Sequence, residues 1–236
     1  MAGELNGKVV VITGAGGGLG RVVSKMVATE GAKLALWDLN PKPMESIDCG
    51  DAEVIRLAVN ITDEASVASG VSQTVEAFGQ IDALMHIAGG FAMPGPVHEG
   101  HADVWHKQIM LNATGTYLTC GAIAGHMVAH GVHGSITMIA AKGGLQGGAK
   151  TAAYSASKSA ALRVMESMAA ELKEHRVRVN AVSPSTLDTP ANREAMGDKN
   201  ADKWVKPEEI ANTLIFLASE KASAITGTNI GVYKWV

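Results

Sequence analysis

Cysteine is nearly absent: Cys49 and Cys120 are the only two in 236 residues, too few for a disulfide framework or a thiolate metal site. Aromatic residues make up 4% of a chain that is 47% hydrophobic, so the core must be aliphatic. That balance favours a parallel α/β protein over an aromatic-rich sandwich. Charge of one sign is also lacking. A net charge of −3 offers no electrostatic ground for nucleic acid or an acidic membrane surface. No uninterrupted apolar run is long enough to span a bilayer, and Met1 to Lys8 is polar, without the apolar core of a signal peptide. The expectation is a soluble cytoplasmic protein.

Glycine is abundant, with 27 residues, and its placement is informative. Lys8 to Thr13 is a short β-branched run, as for a strand buried on both faces. Gly14-Ala15-Gly16-Gly17-Gly18-Leu19-Gly20 follows and leads into a helical pattern from Arg21 to about Glu30. A strand, a glycine loop and a helix N-terminus together form an anion site, because the free amides point at a phosphate. The next strand, Lys33 to Leu39, carries Asp38, an acid suited to the ribose diol of NAD(H) and repulsive to the extra phosphate of NADPH. The remaining pattern alternates: a linker with Pro41, Pro43 and Gly50, too short for a full crossover helix, then a strand at about 53–59 ending at Asn60. A helix runs from Thr62-Asp63-Glu64 to about Phe78, a strand from Ile81 to Ile87, and then Ala88-Gly89-Gly90. A long helix is expected at about 102–130, strands at 134–140 and 176–182, and a helix over 151–175 between those strands. Residues 184–205 read as irregular, Pro207 opens another helix, and Asn229 to Tyr233 suits a last strand. The pattern is one α/β domain over residues 1–236, with no second domain and no repeat.

Tyr154-Ser155-Ala156-Ser157-Lys158 begins the helix at 151–175. Tyr154 and Lys158 are four apart and share a helix face, so the ammonium is expected to acidify the phenol and let it trade a proton near neutrality. Taken alone, such a pair is by default a surface contact. Histidines give no metal site: His126 and His130 are spaced as helical neighbours, but no acid or cysteine completes a ligand set. His86, at a strand end, suits a hydrogen-bonded core position or a contact with cofactor or substrate.

Thr13-Gly14…Gly18-Leu19-Gly20, Ala88-Gly89, Asn112, Tyr154…Lys158 and Arg178-Val179-Asn180-Ala181-Val182-Ser183-Pro184 stand in the order and spacing of one family. Over nearly its whole length the chain resembles the short-chain dehydrogenases/reductases. The resemblance implies a single Rossmann-type domain, a doubly wound parallel sheet with helices on both faces. It implies hydride transfer with Tyr154 as proton donor, Lys158 lowering the Tyr pKa and holding the nicotinamide ribose, and Asn112 anchoring a water relay to that lysine. Gly14, Gly18, Leu19, Gly20, Asp38, Asn60, Ala88, Gly89, Pro184 and Thr189, with Tyr154 and Lys158, are the expected NAD(H) contacts. It also implies a homo-oligomer, dimer or tetramer, paired through the helices at about 102–130 and 151–175.

The chain departs from the family pattern at several points. Ala141 stands where the family carries a serine that hydrogen-bonds the substrate carbonyl. His86-Ile87-Ala88-Gly89 replaces Asn-Asn-Ala-Gly, and Asn60 replaces an acid. The dihydropteridine reductase branch is similar in lacking the serine, in its NADH preference, and in a segment like Thr186-Leu187-Asp188-Thr189-Pro190-Ala191-Asn192-Arg193. The favoured reading is therefore an NADH-dependent reductase of a C=N or quinonoid substrate. The alternatives are an alcohol dehydrogenase or carbonyl reductase with another donor, among Lys142, Gln146, Thr151 and Ser155, or a catalytically silent NAD(H)-binding protein.

Overall fold

The computed structural model describes residues 3–235; Met1, Ala2 and Val236 lie outside the described residues. Seven parallel strands form the sheet: β1 (Val9–Thr13), β2 (Lys33–Asp38), β3 (Val54–Ala58), β4 (Ala83–His86), β5 (Ser135–Ile139), β6 (Arg178–Pro184) and β7 (Asn229–Val232). Their order, β3-β2-β1-β4-β5-β6-β7, reverses direction at β1, where β2 lies on one side and β4 on the other.

The helices are α1 (Gly18–Thr29), α2 (Glu64–Phe78), α3 (Ala102–Gln108), α4 (Gly115–Ala129), α5 (Ala152–Glu171), α6 (Pro190–Met196) and α7 (Pro207–Ala218). Strand alternation splits the core into two layers. Val10, Ile12, Leu34 and Leu36 pack with Val23, Val27, Ile210 and Leu214 of α1 and α7. Val11, Ala35, Trp37 and Ile136 pack on the other face with Val67, Ile123, Met127, Leu162 and Met165 of α2, α4 and α5. A strand that buries both faces has no polar alternation, which is why β1 reads as unbroken Val and Ile.

Several boundaries differ from the sequence expectation. The linker after β2 has no crossover helix, as expected, but holds one 3-10 turn, Lys42–Ser46. The long helix is continuous but passes through a π-turn at Ile109–Thr114 between α3 and α4. The helix expected over 151–175 ends at Glu171, because turns lead to Arg176 in a left-handed conformation (φ 55°). β6 accordingly starts at Arg178, not 176, and runs on to Pro184. The irregular stretch 184–205 contains α6, whose start was written in the sequence: Thr189 caps the helix by accepting from the Asn192 N–H, and Pro190 opens it.

Candidate active site

The order reversal at β1 opens a crevice at the carboxyl ends of β1 and β4, the usual place for a ligand in an open parallel sheet. A cavity of about 870 Å³ occupies it, lined by Gly14, Gly18, Leu19, Gly20, Asp38, Asn60, Ala88, Gly89, Tyr154, Lys158, Pro184 and Thr189. Every dinucleotide residue expected from the sequence is thus brought to one cavity. Asn112 is not on its wall; it lies fully buried behind it.

The glycine loop is shaped by contacts that leave no room for side chains. Gly14 has φ 64°, and a Cβ there would sit 2.9 Å from the Ala88 backbone. A Cβ on Gly20 would fall 2.1 Å from the Gly14 carbonyl oxygen. Helix α1 starts at Gly18 with no side-chain cap, so its first amides are left for a ligand. Asp38, at the tip of β2, accepts the Gly16 N–H at 2.9 Å, which binds the loop to the strand that supplies the acid. An uncapped helix N-terminus beside a carboxylate fits the pyrophosphate and ribose diol of a dinucleotide. Asn60 is oriented locally: its Oδ1 accepts from the Thr62 N–H and hydroxyl at 3.1 and 2.8 Å.

Tyr154 and Lys158 share a face of α5, but the expected direct acidification is not met. The Lys158 ammonium donates to the Ile139 carbonyl at 2.8 Å. Burial pushes the Tyr154 phenol up to about 12 and the Lys158 ammonium down to about 8. Desolvation outweighs attraction for both groups, so at neutral pH the tyrosine is a protonated donor and the lysine is still mostly charged. The Phe91 ring meets the Tyr154 ring edge-on at 4.8 Å, and Ala141 joins them on the wall of the same cavity with a methyl group. Thr151, whose hydroxyl lies 3.1 Å from that of Ser155, and Gln146 also line it.

Asn112 holds the wall from behind. Its Oδ1 accepts the Gly90 N–H at 2.8 Å, and its Nδ2 lies 2.9 Å from the Gly90 carbonyl, 3.0 Å from Ser157 Oγ and 3.1 Å from Gln108 Oε1. Ser157 in turn donates to the Tyr154 carbonyl at 2.7 Å. Phe91 and Met196 suited an apolar pocket wall from sequence and do line the cavity, whereas Gln108 and Ser157 were not singled out as site residues. Only Ser157, set between Tyr154 and Lys158, carried a positional signal.

A family model described as enoyl-(acyl carrier protein) reductase matches residues 14–233, nearly the whole chain. The chain belongs to the short-chain dehydrogenase/reductase family. It is an oxidoreductase. Among curated relatives of this family, it is 36% identical over 247 residues to 2,5-dichloro-2,5-cyclohexadiene-1,4-diol dehydrogenase LinX of Sphingobium indicum, covering 98% of this chain and 97% of that one. It is 32% identical to D-threitol dehydrogenase of Mycolicibacterium smegmatis, over 96% of this chain and 92% of that one. The structure of carveol dehydrogenase from Mycobacterium avium in complex with NAD superposes with a TM-score of 0.92 at 26% identity, covering 98% of both chains.

Proposed function

We propose that the protein is an NADH-dependent reductase of a C=N or quinonoid small molecule, dihydropteridine-like in its demands, with Tyr154 as proton donor. The observation that carries this reading is the pairing of a phenol held protonated with a cavity wall that has a methyl group at position 141. Ala141 takes the place of the family's serine. Loss of one donor to a developing oxyanion costs about 10²–10³ in rate, or roughly 3–4 kcal/mol. A substrate that takes its proton on nitrogen develops less charge on oxygen, so it needs that donor less.

NAD(H) supplies the hydride. Gly14, Gly18, Leu19 and Gly20 would receive the pyrophosphate, Asp38 the adenosine ribose, and Lys158 the nicotinamide ribose. Asn60, Ala88, Gly89, Pro184 and Thr189 would complete the contacts. Lys158, charged at neutral pH, favours negative charge building on Tyr154 as the phenol proton leaves. The side chain of Asn112 is committed to Gly90, Gln108 and Ser157, so its role is to hold the wall beside Lys158.

A second reading is an alcohol dehydrogenase. The names of the relatives from Sphingobium indicum and Mycolicibacterium smegmatis favour it, and the Thr151–Ser155 hydroxyl pair would supply the missing donor. Following NADH oxidation against panels of iminium compounds, quinonoid dihydropterins and ketones separates the two. Fast turnover of the first two classes supports the reductase reading, and fast turnover of ketones alone rejects it. The third possibility, a silent NAD(H)-binding protein, predicts NADH binding and no turnover with any panel.

A homo-oligomer, dimer or tetramer, belongs to the same reading. Added Cβ atoms at Gly121 and Gly125 of α4 would meet nothing within 4 Å, and Tyr117 on that helix is 65% exposed. Small residues on an open helix face allow close approach by a second copy.

A further inference from the structure

The family pattern has asparagine where this chain has His86, and the histidine is placed in a hydrogen-bond chain with one direction. Thr13 Oγ1 accepts the N–H groups of Ile87 and Ala88, both at 3.1 Å. Its own proton then goes to His86 Nδ1, 3.0 Å away. Nδ1 must therefore be bare, and the ring proton sits on Nε2, which faces Thr116 Oγ1 at 3.1 Å. The Thr116 hydroxyl donates its proton to the main-chain carbonyl of Asn112, one turn back along the helix, at 2.7 Å. Each member has one proton to give, so the order Thr13 to His86 to Thr116 to Asn112 satisfies every group. The side chains of Thr13, His86 and Thr116 and the residue that ends the chain, Asn112, are all buried, and none can turn to water instead.

We propose that His86 is a positioning residue: in its Nε2–H form it ties the glycine-loop end of β1 to the π-turn that carries Asn112, and so fixes Ala88–Gly90 against Lys158. The tolerance at the far end is small. Asn112 brackets Gly90 through both its N–H and its carbonyl. A Cβ at Gly89 would lie 2.9 Å from Asn112 Oδ1 and 3.2 Å from Lys158 Nζ, so the strip has no slack between them. A rigid ring with an acceptor on one side and a donor on the other spans two hydroxyls in a fixed direction, which a single methylated or hydroxyl side chain cannot do. Burial and the Lys158 charge hold the ring neutral, with its pKa pushed down to about 3, so the chain persists through the working pH range.

The test needs no substrate. In nitrogen-15 NMR of the natural protein, the histidine signal lost in His86→Leu should show a bare Nδ1 and a protonated Nε2, unchanged between about pH 5 and 8. His86→Leu removes the link, and Thr116→Val cuts it one bond later with little change in shape. Each should speed hydrogen exchange at the Gly90 amide and weaken NADH binding by about fivefold, the worth of one buried hydrogen bond. Protection of the β5 and β6 amides should not change. The double variant should be no worse than His86→Leu, because both sever one chain. A His86 ring protonated on Nδ1 overturns the proposal. So does a Thr116→Val protein with natural Gly90 exchange and natural NADH affinity, or a double variant whose losses add. Should His86→Leu not fold, the NMR spectrum and Thr116→Val decide the matter.

Discussion

Lys158 is a charged group kept in a buried site, and that placement should lower the stability of the protein. Burial takes its pKa from 10.5 to about 8. A fall of about 2.5 units corresponds to roughly 3 kcal/mol of native-state destabilisation at neutral pH. The sign follows from the order of the two values. Below pH 8 the lysine is charged in both states and the folded form bears the full desolvation cost. Between about 8 and 10.5 the folded form releases its proton first, and the cost fades. Lys158→Met removes the charge but leaves the Ile139 carbonyl without its donor, a loss of about 1 kcal/mol. The variant should therefore be more stable than the natural protein at pH 7 by about 2 kcal/mol, a rise of roughly 4–8 °C in Tm for a chain of this size. At pH 10.5 the order should invert, with the natural protein ahead by about 1 kcal/mol. Thermal melts of both proteins at pH 7, 9 and 10.5 measure this, with the ionisation of Tyr154 common to both. A variant less stable at pH 7, or a difference that does not change with pH, would refute the reasoning.

Gly89→Ala should cut NADH affinity by at least tenfold, read by fluorescence titration, since its Cβ would lie 2.9 Å from Asn112 Oδ1 and 3.2 Å from Lys158 Nζ. Asp38→Ala should narrow the preference for NADH over NADPH, because the carboxylate that would repel the extra phosphate is gone; equal affinities in the natural protein would contradict the assignment. Turnover should fall as pH rises through about 8, where Lys158 loses its charge, while a profile flat to pH 10 would remove the ammonium from the mechanism. Sedimentation at micromolar concentration should give a dimer or tetramer, and Gly121→Trp on the open face of α4 should weaken it.

The sheet was legible because its strands are short apolar runs, β-branched in Val9–Thr13 and Leu- and Ala-rich in Lys33–Asp38 and Ala83–His86, set off by glycine or by a helix cap such as Asp63 before α2. The cavity was legible because its residues lie in motifs whose chemistry is local: a glycine loop, an acid at a strand end, a Tyr and a Lys one helical turn apart. What escaped was set by tertiary contact. The π-turn at Ile109–Thr114 leaves no mark in local propensity, and the direction of Lys158 depends on the Ile139 carbonyl, nineteen positions away. Desolvation of Tyr154 likewise depends on neighbours such as Phe91, which arrive from another loop. Helix α6 is different, for Thr189, Pro190 and Gly197 mark both its ends in the sequence, but the polar composition of the stretch obscured them.

The proposed reaction uses Tyr154 and Lys158 and needs no hydroxyl at position 141. The direct test compares NADH-linked rates on a ketone and on an iminium or quinonoid substrate, for the natural protein and for Ala141→Ser. On that chemistry the natural protein should favour the iminium or quinonoid substrate. Ala141→Ser should leave that rate within about tenfold while raising the ketone rate about tenfold or more, because it supplies an oxyanion donor. Brisk ketone turnover by the natural protein, unimproved by the serine, would contradict that chemistry.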